Sequence, residues 1–178
     1  TELLDLSRLD AGRLSVVDEP IDLADLATEL ALEFGPRATA SEHELAVTGS
    51  GLVLALGDSE RVLQIGRILV ENALVHTPPG TRVEVGAALD GGRATLVVAN
   101  DGPPIPPEAE QQVFERFFRL DGRRASGSGL GLAIARELAE VMEGRIELAS
   151  EGGWTRFTLA LRAEPVPAKN VKTPQPVS

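Results

Sequence analysis

Pairs of short apolar runs joined by glycine turns set the limits on what this chain can fold into. Val83–Leu89 and Arg93–Ala99 flank Asp90-Gly91-Gly92, and Gly144–Ala149 and Trp154–Leu161 flank Glu151-Gly152-Gly153. Runs of this length around tight polar glycine turns predict hairpins. Strands that arrive in hairpins do not alternate strictly with helices, so a doubly wound parallel sheet is excluded, and with it the dinucleotide crevice such sheets carry. Three apolar-periodic stretches supply helices. Asp22 caps one that runs from Leu23 toward Phe34, with Leu23, Leu26, Leu30 and Phe34 on one stripe and Pro36 stopping or kinking it. Asp58 or Ser59 caps a second to about His76, with Val62, Ile65, Leu69 and Ala73 on one face, and Gly129–Val141 reads as a third. Leu45–Thr48 and Leu52–Leu56, separated by Gly49-Ser50-Gly51, add two strands. The expected architecture is a mixed sheet with helices on one face.

Composition narrows the chemistry. The chain has 178 residues, 43% hydrophobic and 25% charged, enough for one or at most two domains with a buried core. A formal net charge of −10 repels nucleic acid and anionic lipid. The only lysines, Lys169 and Lys172, stand in the last ten residues, which rules out a phosphate loop built on lysine and leaves arginine, backbone N–H groups and a metal to hold an anion. The absence of cysteine excludes disulfides, thiolate metal sites and cysteine nucleophiles. No apolar run approaches the roughly 18 residues of a membrane span, and Thr1-Glu2-Leu3-Leu4-Asp5 is no signal peptide, so the chain as given is expected to be soluble. Residues 163–178, with four prolines, are expected to be a disordered tail.

Three segments carry candidate chemistry: Glu71-Asn72-Ala73 inside a helix, Asn100-Asp101-Gly102-Pro103-Pro104-Ile105 after a strand, and Gly127-Ser128-Gly129-Leu130-Gly131-Leu132 opening a helix. A glycine run feeding a helix N-terminus presents N–H groups and a positive dipole end to phosphate oxygens, although a tight loop also needs glycine for conformation alone. An asparagine among apolar helical residues is mildly unfavourable there; its amide oxygen suits Mg²⁺, or it is simply exposed or locally bonded. The 29 residues from Asn100 to Ser128 are too long for an ordinary connection and read as a functional loop. Together the segments describe a nucleotide pocket.

Their order and spacing resemble the catalytic ATP-binding domain of two-component sensor histidine kinases, a branch of the ATPase superfamily that includes gyrase, Hsp90 and MutL. Asp58 through Pro78 resembles that family's asparagine box and Asn100 through Pro107 its first glycine box. Phe114-Glu115-Arg116-Phe117-Phe118-Arg119 resembles the phenylalanine box, Gly127 through Leu132 the second glycine box, and Gly153-Trp154-Thr155-Arg156-Phe157 the closing strand. The resemblance implies a two-layer α/β sandwich, with a mixed sheet of about five strands on three helices and a lid at about residues 103–128. It implies ATP and Mg²⁺, with Asn72 as the metal ligand, and Gly127, Ser128, Gly129, Leu130 and Gly131 at the phosphates. His76 either touches phosphate or is a helix-end histidine bonded to backbone or solvent, Arg119 matches an arginine that can reach the γ-phosphate, and Thr155 matches a threonine near adenine. It further implies Asn100, Asp101, Gly102 and Ile105 as nucleotide-binding positions, with either Asn100 or, by a one-residue shift, Asp101 reading adenine. Phe114, Phe117 and Phe118 are read as packing anchors for the lid.

Thr1–Leu14 resembles the end of a dimerisation-domain helix, giving boundaries at 1–15, 16–162 and 163–178. Neither His43 nor His76 has the context of a phosphoacceptor, so the implied partners are the protein's own dimerisation domain, expected outside this sequence, and a response regulator. The implied whole is a homodimer whose catalytic domain is cytoplasmic and membrane-anchored. Departures bear on mechanism. The adenine-reading aspartate aligns with Asn100, with Asp101 one place later; a glycine becomes Pro104; a common lysine becomes Val75. Ile68 stands one turn before Asn72, where hydrolytic relatives hold a glutamate, and an isoleucine cannot act as a base, which favours transfer over hydrolysis. The same departures also fit a second reading, a nucleotide-binding regulatory module with little or no kinase activity.

Overall fold

The computed structural model describes residues 2–119 and 129–165; Gly127, Ser128, the rest of 120–128 and the tail from 166 lie outside the described residues. The elements are α1 (Glu2–Asp10), β1 (Glu19–Asp22), α2 (Leu23–Ala40), β2 (Glu44–Thr48), β3 (Leu54–Gly57), α3 (Ser59–His76), β4 (Arg82–Asp90), β5 (Arg93–Asn100), α4 (Gly131–Val141), β6 (Arg145–Glu151) and β7 (Trp154–Arg162). Single 3₁₀ turns at Pro107–Ala109 and Gln112–Phe114 break the long connection after β5.

Five strands form one sheet in the order β2-β4-β5-β7-β6, with β2 and β4 parallel and the other neighbours antiparallel. Both glycine-turn pairs are hairpins, as their turns predict. Alternation then sorts the side chains. Val83, Val85 and Ala87 of β4, Ala94, Leu96 and Val98 of β5, and Phe157, Leu159 and Leu161 of β7 are buried. They join the core made by α2, α3 and α4, giving the two-layer α/β sandwich. The buried stripe of β5 ends in Asn100 and that of β7 begins with Thr155, and the two are direct partners across the strands. At this end of the sheet the core turns polar.

Local chemistry accounts for the helix starts. Asp22 Oδ1 accepts from Ala24 N at 3.0 Å, and Asp58 Oδ1 accepts from Glu60 N at 3.1 Å and Arg61 N at 3.3 Å. Three features narrow or add to the expectations. Pro36 does not end α2, which runs on to Ala40. The carbonyl that Pro36 leaves without an intrahelical donor belongs to Leu32, 76% exposed, while Phe34 and Ala38 on the other face are buried. The strands flanking Gly49–Gly51 do not pair with each other: β2 joins the edge of the large sheet, and β3 pairs with β1 in a separate two-stranded sheet. The chain also stays paired past Arg162, because Ala163 bridges Ala55 and Glu164 N donates to Leu54 O at 3.0 Å. No helix among the described residues is long and apolar enough to cross a membrane.

Candidate functional site

The site assembles where the C-terminal half of α3 meets the ends of β5 and β7 and the start of α4. Helix α3 brings its buried face, Val62, Ile65, Leu69 and Ala73, onto the sheet, which leaves the neighbouring Asn72 half-buried at the rim. The Asn72 amide makes no hydrogen bond among the described residues. Glu71, beside it, turns outward and pairs with Arg37 of α2 at 3.3 Å. His76 is exposed in the last turn of α3.

One residue further on, Thr77 ties this rim to the first glycine box. A Cβ on Gly102 would lie 2.7 Å from Thr77 Cγ2, so only glycine allows the loop after β5 to lie this close to the end of α3. Thr77 is held in turn: its O–H donates to Ala73 O at 2.6 Å, and His43 Nε2 lies 2.8 Å from its Oγ1. His43, buried between the end of α2 and the end of α3, is a structural tie that the motif reading passed over.

Asn100 and Asp101 face opposite ways. Asn100 is 6% exposed, and its Oδ1 accepts from Gly102 N at 3.1 Å. Asp101 belongs to the outer side of the sheet end. Its Oδ1 accepts from Arg82 N and its Oδ2 from Arg82 Nε, both at 2.7 Å, and the Arg82 guanidinium lies over the Trp154 ring at 5.4 Å. The side-chain bond from Arg82, reinforced by its backbone N–H, holds the Asp101 carboxyl below its ordinary value of 3.8. Across from Asn100, Thr155 is 2% exposed and its Oγ1 is buried with no hydrogen-bond partner. A buried hydroxyl without a partner is costly, which sets the Asn100 and Thr155 pair apart from the apolar sheet face it ends.

The second glycine box closes the rim from the other side. Helix α4 starts at Gly131, two residues later than predicted, and Leu130 at its N-cap offers no side-chain cap. Gly131 abuts α3, with a Cβ there falling 3.2 Å from Ile68 Cγ2. Gly129 has φ +72° and lies against the backbone of Phe117, whose N donates to Gly129 O at 2.9 Å. Leu130 is fully buried, which limits any contact it makes with a ligand to its backbone. Ile105 is half-buried against the core.

The aromatic cluster divides. Phe114 is buried, edge-on to Phe157 at 6.1 Å between centroids, and Phe118 is partly buried. Phe117 is corrected: it is 65% exposed with φ +65°, because its backbone, rather than its ring, makes the contact with Gly129. Arg119 is exposed at the edge of the described segment. Arg116, which the motif reading did not single out, holds Asp10 of α1 through two bonds at 3.1 and 2.6 Å and Glu137 of α4 at 2.8 Å, joining the chain's first helix to the loop. A cavity of about 350 Å³ between Thr48–Leu52 and the start of α2 contains none of the predicted site residues.

Among the described residues no group of three or more His, Cys, Asp or Glu could cage a metal. One neutral amide, that of Asn72, fits a Mg²⁺ ion that takes most of its ligands from phosphates and water.

Residues 57–165 match the family model described as histidine kinase-, DNA gyrase B-, and HSP90-like ATPase. A probable sensor histidine kinase of Mycobacterium tuberculosis, TcrY, is 34% identical over 163 residues, covering 90% of this chain and 34% of its own length. The crystal structure of full-length ShkA in complex with AMPPNP superposes with a TM-score of 0.81 at 31% identity, covering 94% of this chain and 35% of that one. A mycobacterial sensor histidine kinase, MprB, gives 0.68 at 32% identity, covering 84% of this chain and all of that one. This chain spans about a third of the length of TcrY.

Proposed function

Because the chain belongs to the histidine kinase-, DNA gyrase B- and HSP90-like ATPase family and carries the ATP-binding catalytic domain of sensor histidine kinases, we propose that it transfers the γ-phosphoryl group of ATP to a histidine on a dimerisation domain outside this sequence. The phosphohistidine then supplies a response regulator. The whole protein would be a homodimer anchored in a membrane, with this domain on the cytoplasmic side.

The observation that carries the reading is the buried pair of Asn100 and Thr155 at the polar end of an otherwise apolar sheet face, with a threonine hydroxyl left unpartnered. A purine edge supplies the missing hydrogen bonds. Asp101, committed to Arg82, serves this site by fixing the turn rather than by touching the base. Gly102 and Ile105 shape the base side, and the N–H groups of Gly127, Ser128, Gly129, Leu130 and Gly131, with the positive end of α4, meet the phosphates. Asn72 would hold Mg²⁺ against those phosphates, the ion supplying charge neutralisation; His76, exposed in the last turn of the same helix, would contact phosphate from there. Arg119 offsets charge as the bond from the γ-phosphorus to its bridging oxygen breaks, a bond to the acceptor nitrogen forms and ADP leaves. Ile68 provides no base for water, so the phosphoryl group is kept for the supplied acceptor.

Mixing the chain with a purified dimerisation domain and Mg-ATP tests the reading. Acid-labile phosphohistidine on the added domain is expected. ATP binding with no phosphohistidine would instead identify a regulatory module. Arg119→Ala is expected to lower the transfer rate by about 10²-fold or more while changing ATP affinity by less than about tenfold, because its role is confined to the moving group.

A further inference from the structure

Base selection is the property on which the Asn100–Asp101 pair has a consequence. The one carboxylate in this turn is spent on Arg82, and both of its oxygens are used there. What faces inward is a neutral amide whose orientation is fixed, because Gly102 N–H is a donor and admits only the oxygen of Asn100 opposite it. The amide nitrogen has no hydrogen-bond partner among the described residues, and it is not among the buried atoms lacking one, so it keeps access to the outside. Asn100 therefore offers a ligand two N–H donors and the second lone pair of Oδ1. Beside it, the Thr155 hydroxyl can donate or accept and is engaged by neither route.

A carboxylate in the place of Asn100 would be acceptor-only. It would pair with the amino group of a 6-aminopurine and repel the carbonyl of a 6-oxopurine. The amide carries no such bias: its N–H groups can donate to a 6-oxo group or to an unprotonated ring nitrogen, and its oxygen can accept from a 6-amino group or from a ring N–H. We propose that Asn100 is the residue that sets purine selectivity in this chain, and that it sets it permissively, so that 6-oxopurine nucleoside triphosphates bind alongside ATP. The inference rests on the placement of the base at the Asn100–Thr155 pair.

Inosine triphosphate is the probe, since it replaces the 6-amino group by an oxo group with its ring N–H and adds nothing elsewhere. Competition of ATP and of inosine triphosphate against a fluorescent ATP analogue, with Mg²⁺, reads the ratio of their affinities on the 178-residue chain. The wild type is expected to bind inosine triphosphate within about tenfold of ATP, and Asn100→Asp, which can still accept from Gly102 N–H, to reject it by about 10²-fold or more. Asn100→Ser, which keeps both a donor and an acceptor, is expected to stay permissive. A wild type that binds ATP but rejects inosine triphosphate about 10²-fold overturns the inference and leaves the nucleotide site standing. A ratio that Asn100→Asp does not move removes Asn100 from base selection. Binding of neither nucleotide overturns the inference and the site together. The wild-type ratio decides the matter even if Asn100→Asp fails to fold.

Discussion

At the scale of single residues, two neighbours in the same turn do opposite jobs, and the pleat decides which does what. Ala94, Leu96 and Val98 face the core at every second position, so Asn100 must face inward and Asp101 outward. The outward carboxylate pairs with Arg82, which depresses its pKa below 3.8. A carboxyl whose folded pKa lies below its unfolded value adds stability at pH above the unfolded value, and the gain is lost as pH falls through the folded one. Asp101→Asn is therefore expected to lower the melting temperature at neutral pH and to cost progressively less as pH falls below about 4, where the wild-type pair itself is being protonated. Melting curves between pH 7 and pH 2 check this; a penalty that does not change with pH would show the pair to be idle. The alternation that orients Asn100 was present in the sequence, whereas the bond from Arg82 was not, since it joins residues 19 apart across a strand pair. Thr155 was legible only as a motif position, and its unpartnered hydroxyl is a fact of packing.

At the scale of elements, local signals gave boundaries and non-local pairing gave surprises. The hairpins and the Asp58 cap depend on residues within a few positions of one another, and each formed where the chain indicated. Strand β1, a four-residue run containing Pro20, has no periodicity to find; it exists because β3 lies beside it, and Pro20 is tolerated in so short a two-stranded pair. The same logic carried α2 through Pro36, since burial of Phe34 and Ala38 outweighs one lost helical bond whose carbonyl faces water. Helix α3 bears both the core and the site. Leu69, fully buried one turn from Asn72, is expected to cost about 2–5 kcal/mol when changed to Ala, measured by denaturant unfolding; a loss under about 1 kcal/mol would mean α3 is not packed as described. The last strand has a comparable reading at its end. Truncation after Arg162 removes the Ala163 bridge and the Glu164 bond and is expected to destabilise the chain by about 1–2 kcal/mol relative to truncation after Pro165. Equal melting temperatures for the two truncations would show those contacts to be inert.

At the scale of the whole molecule, the sandwich turns polar at one end of its sheet, where the proposed site lies. Apolar stripes on β5 and β7 give way to Asn100 and Thr155, α3 carries Asn72 half-buried, and α4 brings its N-terminus against Ile68. Arg116 then links α1, the loop after β5 and α4 through Asp10 and Glu137. The family was legible in five modest motifs in a fixed order, while their convergence on one rim is a property of the fold: Gly102 meets Thr77 and Gly131 meets Ile68 only after the sheet and α3 have packed. Every function proposed for this chain passes through that rim, and the metal-dependent grip on ATP is its simplest expression. Calorimetric titration with ATP, with and without Mg²⁺, on the wild type and on Asn72→Ala tests it most directly. Mg²⁺-dependent binding to the wild type is expected, lost or weakened about 10²-fold or more in Asn72→Ala while the variant remains folded. Wild-type binding that ignores Mg²⁺ and survives Asn72→Ala, or no binding at all, would contradict it.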